Sequence, residues 1–372
     1  MNTLAGIGMG LVGVFIPIYL LELGYAFPAV ILWLLIHHSS LLVGAFLVVF
    51  ISNSIGLVRC WYIRVFLVSF LFGGLFLLPS QPSFLYTLAV ISGMEAAFFW
   101  IPYNILTVRK TEDATMGSSL ALMSNIGSGV GIIVPGIAAI LIVTFGYGVL
   151  FATALFFILV SIFPTLPLRD EKTNFHFDRA VVKKIVKENK RFIVPEILDN
   201  LGQDTQVIWT LFIFITGLTV LDIGALGIIT GIIGMGVTYI TGSMIDTWNK
   251  KTVVRIGAVL ATIMWGISYF VAVYAPTPAT LYLVTAIRGL VLGVFVSAYG
   301  VIMFNQARHH DAQFLVLREI PTIFGRIILF VATLVLISIG RFEFVFLLAA
   351  LSSLYFCFNN IDALMEAPKN NK

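Results

Sequence analysis

The chain has 372 residues, of which 59% are hydrophobic and 11% charged, and its mean hydropathy is +1.03. Soluble domains contain about 45–50% apolar and about 25% charged residues, so this composition excludes a soluble globular protein. The apolar runs are continuous and long, which predicts spanning helices instead of the alternating strands of a membrane barrel. The net charge of +4 gives no indication of nucleic-acid binding. We therefore expect an all-α integral membrane protein.

The apolar runs, separated by short polar or turn-rich breaks, predict twelve spanning segments, numbered here in chain order. The first run lacks a preceding basic stretch and is too long for a signal-peptide core, so we expect it to be a helix of the mature protein. The predicted segments cover residues 4–21, 28–51, 62–79, 84–108, 117–144, 147–166, 193–217, 222–243, 252–274, 279–304, 316–339 and 343–361.

Residues 167–192 form the longest polar break and contain eight Lys or Arg residues. This basic linker divides the chain into an N-terminal six-helix bundle, residues 1–166, and a C-terminal six-helix bundle with a short tail, residues 193–372. Basic residues also concentrate in alternate breaks, and cytoplasmic loops carry such an excess. We expect a multi-pass protein of a bacterial-type inner membrane, with the linker and both chain termini in the cytoplasm.

Segments 4 and 10 contain similar sequences at a shift of 196 residues, where residues 91–104 align with residues 287–300. Internal repeats of this kind are common in transporter folds, so the match supports two related halves. The identical positions are Ile91 and Ile287, Gly93 and Gly289, Phe99 and Phe295, and Tyr103 and Tyr299.

The break between segments 8 and 9 reads "GSMIDTWNKK". Gly242 is followed at +4 by Asp246 and at +8 and +9 by Lys250 and Lys251. This pattern resembles the cytoplasmic loop motif of the major facilitator superfamily. A glycine permits close helix approach, and the basic pair suits the inner membrane surface. We therefore expect these four residues to form a loop that takes part in conformational change.

Two positions depart from the family motif, because Thr247 and Asn249 stand where the family has an arginine and a second glycine. The corresponding first-half loop, residues 51–64, keeps basic residues but has no aspartate. The resemblance implies twelve helices in two six-helix bundles. It also implies that segments 1, 4, 7 and 10 line a central cavity, that segments 2, 5, 8 and 11 flank it, and that the others face lipid.

Ionisable residues inside the segments follow this implied arrangement. A charge at the centre of a membrane helix costs about 2.5–3.5 kcal/mol on insertion scales, so each one requires a partner, water or a function. Three acids, Glu196, Asp199 and Glu319, lie near predicted cytoplasmic ends, where they are expected to reach interfacial water or basic groups. The candidates nearer the middle are Glu95, Asp204, Arg288 and Arg326. For these we expect a cavity function, with structural ion pairs as the alternative.

Polar and aromatic residues near these charges are further candidates for lining the cavity. Asn200 and Gln203 share segment 7 with Asp204, and the spacings of three and four residues put them on one helix face. In segment 4 the candidates are Trp100, Tyr103 and Asn104.

These features favour a secondary transporter that moves a small organic solute by alternating access and is coupled to protons, with efflux antiport favoured over uptake symport. Glu95 or Asp204 is expected to carry the proton, and Arg288 and Arg326 to hold an anionic group or a carboxylate. The alternatives are a transport-inactive receptor or scaffold of the same fold and a lipid-handling membrane protein.

We expect no enzyme, because the sequence contains no H-E-x-x-H, G-x-S-x-G or G-x-x-x-x-G-K-[ST] motif. No cofactor, metal or disulfide is expected from the two cysteines, Cys60 and Cys357. The expected partners are the solute, protons and membrane lipids, and we expect a monomer.

Overall fold

A computed structural model describes the backbone of residues 2–110, 116–167, 170–172, 179–247 and 249–359. Within these ranges the regular structure is helical, with two short 3-10 helices at Pro82–Phe84 and Phe163–Thr165. The α-helices are α1 (Asn2–Val12), α2 (Phe15–Glu22), α3 (Phe27–Ile55), α4 (Leu57–Leu77), α5 (Leu85–Lys110), α6 (Met116–Phe145), α7 (Tyr147–Val160), α8 (Arg179–Ile215), α9 (Val220–Thr247), α10 (Lys250–Tyr274), α11 (Pro278–Ser338) and α12 (Phe344–Phe358).

Eight helical stretches in the described part of the chain are long and apolar enough to cross a membrane. Three shorter apolar helices accompany them, at Gly131–Phe145, Pro278–Val291 and Phe344–Phe358. Helix α8 is not among the eight, because its Asp, Asn and Gln side chains lower its mean hydropathy. The prediction of an all-α, multi-pass membrane protein is confirmed.

Helix boundaries differ from the predicted segments at two places near the chain's beginning and middle. Predicted segment 1 is divided into α1 and α2, which together form one apolar stretch, Leu4–Glu22. Helix α8 begins at Arg179, inside the stretch predicted to be a linker. This stretch is rich in Lys, Arg and Val, and the Lys and Arg side chains are good helix formers, so the helix extends beyond the apolar run.

Helix α11 is continuous over 61 residues and includes both predicted segments 10 and 11. Nevertheless, Tyr299 and Arg318 both contact the carboxylate of Glu196. A straight helix would hold the two residues about 28 Å apart, which their side chains cannot bridge across one glutamate. The helix is therefore not straight between them, and we call the part up to Tyr299 the first pass of α11 and Leu317–Ser338 the second pass.

The chain forms two compact units. The N-terminal unit comprises Met1–His176 and Leu218–Ile228. In it, α5 packs along α3 and α4, and α1 packs against α6 and α7. The first part of α9 belongs to this unit, where Gly224 approaches Ala139 of α6 closely.

The C-terminal unit comprises Phe177–Gly217 and Ile229–Lys372. In it, α8 packs against α11 and α12, and α10 packs against the same two helices. Its apolar core includes Phe192, Val254, Phe295 and Phe356. The polar residues discussed below are held on this scaffold.

The aligned aromatic residues of the internal repeat adopt the same local geometry in both units. Phe99 and Tyr103 stack with ring centroids 5.7 Å apart and an interplanar angle of 4°. Phe295 and Tyr299 stack with centroids 6.0 Å apart and an angle of 6°. Both pairs are four residues apart on a helix, so the sequence match corresponds to a shared structural element.

Candidate functional site

Glu95 in the N-terminal unit forms a buried ion pair with Arg64 of α4. The Arg64 Nε donates to the Glu95 Oε1 at 2.6 Å, and the two side chains are 3% and 1% exposed. The guanidinium also lies over the ring of Phe99, 4.2 Å from its centroid. Arg64 lies at the beginning of predicted segment 3 and was counted with the basic residues of the first-half loop, but its side chain is buried where α4 packs on α5. The pairing of Glu95 with Arg64 was therefore not predicted from the sequence.

The other candidates of segment 4 lie on the same helix, α5. The Tyr103 ring stacks on Phe99, and Trp100 meets Tyr103 edge to face with centroids 5.9 Å apart. Trp100 is 49% exposed, whereas Tyr103 and Asn104 are half-buried. These residues continue an aromatic surface from Phe99 toward the end of α5, and among the described side chains none of the three is bonded to an ionisable group.

Polar side chains follow one another along facing sides of α8 and the second pass of α11. On each helix the positions are four residues apart, so they repeat along one face. The α8 positions are Glu196, Asn200 and Asp204, and the α11 positions are Arg318, Thr322 and Arg326. We call these six residues the polar ladder.

Glu196 is the most enclosed member of the polar ladder, with no exposed surface. Its Oε2 accepts from the Arg318 Nε and from the Thr322 hydroxyl, both at 3.0 Å. Its Oε1 accepts from the Tyr299 hydroxyl at 3.2 Å. Three donors thus stabilise one carboxylate, and one of them carries a positive charge. Of the two partners expected for Glu196, interfacial water and basic groups, the structure shows a basic group, Arg318, and the carboxylate is buried.

Arg326 connects two other members of the ladder. Its Nη2 donates to the Asn200 Oδ1 at 3.2 Å. Its Nε lies 3.2 Å from the Asp204 Oδ2, a charge contact without hydrogen-bond geometry. The side chains of Arg326 and Asp204 are 27% and 16% exposed, so this end of the ladder is more open than the Glu196 end.

Asp199 lies beside the ladder and is buried. Gln203 donates through its Nε2 to the Asp199 Oδ2 at 2.6 Å, and the Oδ1 has no hydrogen-bond partner among the described residues. Asp199 lines a cavity of about 10 Å³ together with Gln206, Ser352 and Ser353. That volume holds about one water-sized group. From the sequence, Asp199 was expected near the interface. Its spacing of four residues from Gln203 was a signal that the two side chains could be hydrogen-bonded.

Arg288 occupies a different environment from the other buried arginines. It is 4% exposed and lies between Trp209 and Trp265, with its guanidinium carbon 4.8 Å from each ring centroid. Trp209 in turn donates its Nε1 to the Thr285 hydroxyl at 2.9 Å. Among the described side chains the structure shows no acidic partner for Arg288, and its Nη1 has no hydrogen-bond partner. The contacts of this arginine are therefore mainly aromatic.

The loop motif is described only in part. Gly242 and Asp246 lie near the end of α9, and Lys250 begins α10, but the side chains at these positions are outside the described part of the chain. Asn249, one of the two departures from the family motif, accepts from the backbone N–H of Lys251 at 3.0 Å. It therefore caps α10, and asparagine is among the residues preferred at this position.

The corresponding loop of the first half obtains a carboxylate from a distant position. Asp170 accepts from the backbone N–H of Val58 at 3.0 Å, and its other oxygen lies 3.4 Å from the Arg59 Nε. The backbone N–H of Leu57 donates to the carbonyl of Glu171 at 3.0 Å. The aspartate that this loop lacks in sequence is thus supplied at the start of α4 by residue 170.

A binding site for a transition metal finds no support in the described residues. They contain no group of three or more His, Cys, Asp or Glu side chains that could hold a metal ion. Cys60 is buried and Cys357 is half-buried, and both are free thiols.

Sequence comparison gives limited information on relatives. No protein-family model matches the chain. The uncharacterized protein YqgE of Bacillus subtilis (strain 168) is 24% identical over 288 residues, which is 74% of this chain and 66% of YqgE. The match thus spans slightly less than two thirds of that relative's length.

Structure comparison identifies similar folds over nearly the whole chain. A bacterial homologue of the iron transporter ferroportin, in an outward-facing state, has a TM-score of 0.71 at 13% identity, covering 98% of both chains. The D-xylose-proton symporter has a TM-score of 0.68 at 13% identity, covering 95% of both chains. The nucleoside transporter NupG has a TM-score of 0.62 at 15% identity, covering 98% of both chains. The protein therefore has the fold of the major facilitator superfamily transporters.

Proposed function

We propose that the protein is a secondary transporter that moves a small organic solute across the membrane by alternating access, coupled to protons. The observation that carries this proposal is the contact between Asp204 and Arg326, which is partly exposed and adjoins buried Glu196 through Asn200. In this partly exposed setting the Asp204 carboxylate can bind and release a proton, and either charged group can bind a solute that arrives from water. The transporter fold supports this use of the polar ladder.

Asp204 is the group that we propose to carry the proton. An ionised Asp204 is stabilised by Arg326 at 3.2 Å, and protonation removes that attraction. Proton binding therefore weakens the hold of α8 on α11 at this position. Asn200 and Gln203 lie on α8 beside Asp204 and Asp199, and we propose that they line the solute site.

The direction of coupling follows from which group binds the solute. If Asp204 binds a cationic solute, then proton and solute compete for one carboxylate, which produces exchange. If Arg326 binds an anionic solute after Asp204 is protonated, then the two move together. We favour efflux antiport, because the Asp204 carboxylate already pairs with a cation, Arg326, and a cationic solute can take the place of that cation.

The roles of the remaining candidates differ. We propose that Glu95 holds α5 to α4 through Arg64 and does not carry the proton. Arg288, enclosed by Trp209 and Trp265, is proposed to shape the interior of the C-terminal unit. Trp100, Tyr103 and Asn104 remain proposed solute contacts: Trp100 is exposed, and Tyr103 and Asn104 lie beside it on α5.

The membrane orientation and the loop motif complete the proposal. We propose a monomer in a bacterial-type inner membrane with cytoplasmic termini, which the basic residues in alternate breaks support. We also propose that Gly242, Asp246, Lys250 and Lys251 control conformational change at the cytoplasmic side. The resemblance of their spacing to the family motif supports this role.

The test begins with a thermal-shift screen of metabolites and drugs on the purified protein, because a bound ligand raises the melting temperature. Ligands found in this way are then assayed for flux in liposomes that carry a pH gradient and an internal pH dye. We expect solute movement to be accompanied by proton movement. Binding without any flux would instead indicate a receptor, and lipid products without solute flux would indicate a lipid-handling protein.

Asp204→Asn is the decisive variant in this assay. We expect it to reduce proton-driven flux by about tenfold or more, because the amide cannot carry a proton. Asp222→Asn is the matched control. It makes the same chemical change at an exposed turn, where the Asp222 carboxylate accepts hydrogen bonds from Thr219. Full proton-driven flux in Asp204→Asn would remove this residue from the coupling role.

A further inference from the structure

An apolar groove lies between α8 and the second pass of α11 in the C-terminal unit. Its volume is about 450 Å³, within the range of about 300–1,000 Å³ that is usual for ligand pockets. Its walls are mainly apolar side chains, of which Phe324 is 49% and Val186 43% exposed. The apolar lining residues include Val186, Ile193, Ile197, Leu317, Pro321 and Phe324. The groove therefore suits a hydrocarbon chain.

Basic residues flank Val186, the lining residue of the groove nearest to the beginning of α8. Lys183, Lys187 and Lys190 are exposed on the part of α8 that precedes the apolar run. Lys190 lies four residues after Val186 and three before Ile193, so it shares the face of α8 that lines the groove. Positive charge thus borders the apolar groove where the helix leaves its apolar stretch.

Two charged residues, Glu196 and Arg318, also line the groove, and the Glu196 carboxylate is already bonded to members of the polar ladder. Arg318 brings a positive charge to the lining. Its Nε is used by Glu196, but a guanidinium has five N–H groups in all, and the Arg318 side chain is 29% exposed. The groove is therefore mainly apolar and offers a cationic group in its lining, with further basic residues beside Val186.

We propose that this groove binds an anionic phospholipid, with an acyl chain along the apolar walls and the phosphate near Lys183, Lys187 and Lys190. The charge of these lysines complements an anionic headgroup, and basic pockets on the cytoplasmic side of membrane helices bind such lipids. A free phosphate ion has no group that fills the apolar part. A zwitterionic lipid fills the groove equally well but has no net charge for the lysines to attract.

The test uses the purified full-length protein and native mass spectrometry in detergent. Phosphatidylglycerol and phosphatidylcholine with identical acyl chains are titrated separately. We expect phosphatidylglycerol to bind about tenfold more tightly, because each basic residue near an anionic headgroup adds attraction. Equal affinities for the two lipids would overturn the proposal.

Three variants locate the site. Lys183→Gln/Lys187→Gln/Lys190→Gln is expected to remove the preference for phosphatidylglycerol while leaving the weaker phosphatidylcholine binding. Ile193→Trp, at a half-exposed wall position, is expected to reduce binding of both lipids. Arg341→Gln, at an exposed position between α11 and α12, is the control for a loss of positive charge, and it is expected to keep the preference. An unchanged preference in the triple variant would place the lipid elsewhere.

A thermal-shift measurement with inorganic phosphate separates a lipid site from an anion site. We expect phosphate alone to leave the melting temperature unchanged, and phosphatidylglycerol to raise it more in the parent protein than in the triple variant. Stabilisation by phosphate equal to that by the lipid would show that the lysines bind free anions, which would overturn the proposal. These lipid assays do not depend on solute flux, so their outcome is independent of the transport proposal.

Discussion

Two buried glutamates, one in each unit, show how differently a charge can be accommodated among membrane helices. Glu95 is bound by one arginine on one neighbouring helix, and an aromatic ring covers that arginine. Glu196 is bound by donors from both passes of α11, and its helix continues through Asn200 to the more open Asp204. Burial of a charge is therefore a weak guide to coupling. The two cases differ in that the helix of Glu196 also holds a partly exposed titratable group, Asp204.

The first way to test this comparison is to break the Glu95 pair. Glu95→Gln leaves Arg64 buried without a counter-charge, and removal of one partner of a buried pair costs about 3–5 kcal/mol. We expect a large fall in the melting temperature, measured by thermal unfolding in detergent. The double variant Arg64→Met/Glu95→Gln is expected to recover most of the loss, because no unpaired charge remains. A Glu95→Gln variant as stable as the parent would contradict the structural role of the pair.

The second test applies the same chemical change to Glu196. In Glu196→Gln the amide oxygen replaces only one of the two carboxylate oxygens, so it can accept either from Tyr299 or from Thr322 and Arg318, and the charge opposite Arg318 is lost. We expect a loss of about 1–3 kcal/mol, smaller than for Glu95→Gln, because Arg318 is partly exposed and can be hydrated. Denaturant unfolding of both variants under one condition measures the difference. An equal or larger loss in Glu196→Gln would remove the contrast between the two units.

The smallest effect is expected at Arg288. In Arg288→Met an apolar, flexible side chain replaces the guanidinium between Trp209 and Trp265. The loss of the cation–π contact lowers the stability, and the removal of a buried charge raises it. We expect stability to change by about 1 kcal/mol or less, in either direction, measured by thermal unfolding. A loss comparable to that of Glu95→Gln would reveal an acidic partner in a part of the chain that is not described.

Much of the fold follows from the sequence, because long apolar runs admit few alternatives in a membrane. Segment 9, predicted at 252–274, is observed as α10 at Lys250–Tyr274, since Asn249 provides a local capping signal that precedes the run. The start of α8 was harder to predict. A charged stretch can have a similar local propensity for loop and for helix, and the tertiary contacts of the folded chain decide which one forms.

The site was less predictable, because its contacts join positions far apart in the chain. Glu196 meets Tyr299 and Arg318 across 103 and 122 positions. Spacings of four residues within α8 and within α11 are visible in the sequence, but they do not show which helices face each other. Arg64 was missed for another reason: a basic residue near a helix end suggested the cytoplasmic surface, whereas the packing of α4 on α5 turns it inward.

The cap at the start of α4 has a consequence for the order in which the protein is built. Val58 donates its N–H to Asp170, which lies 112 positions later, and Gly56 leaves room for that carboxylate at a backbone φ of 95°. A ribosome makes α5, α6 and α7 before it reaches Asp170. The beginning of an early membrane helix is thus completed only by a residue that emerges after the sixth predicted segment. A nascent chain halted before that point contains every residue of α4 but lacks its cap.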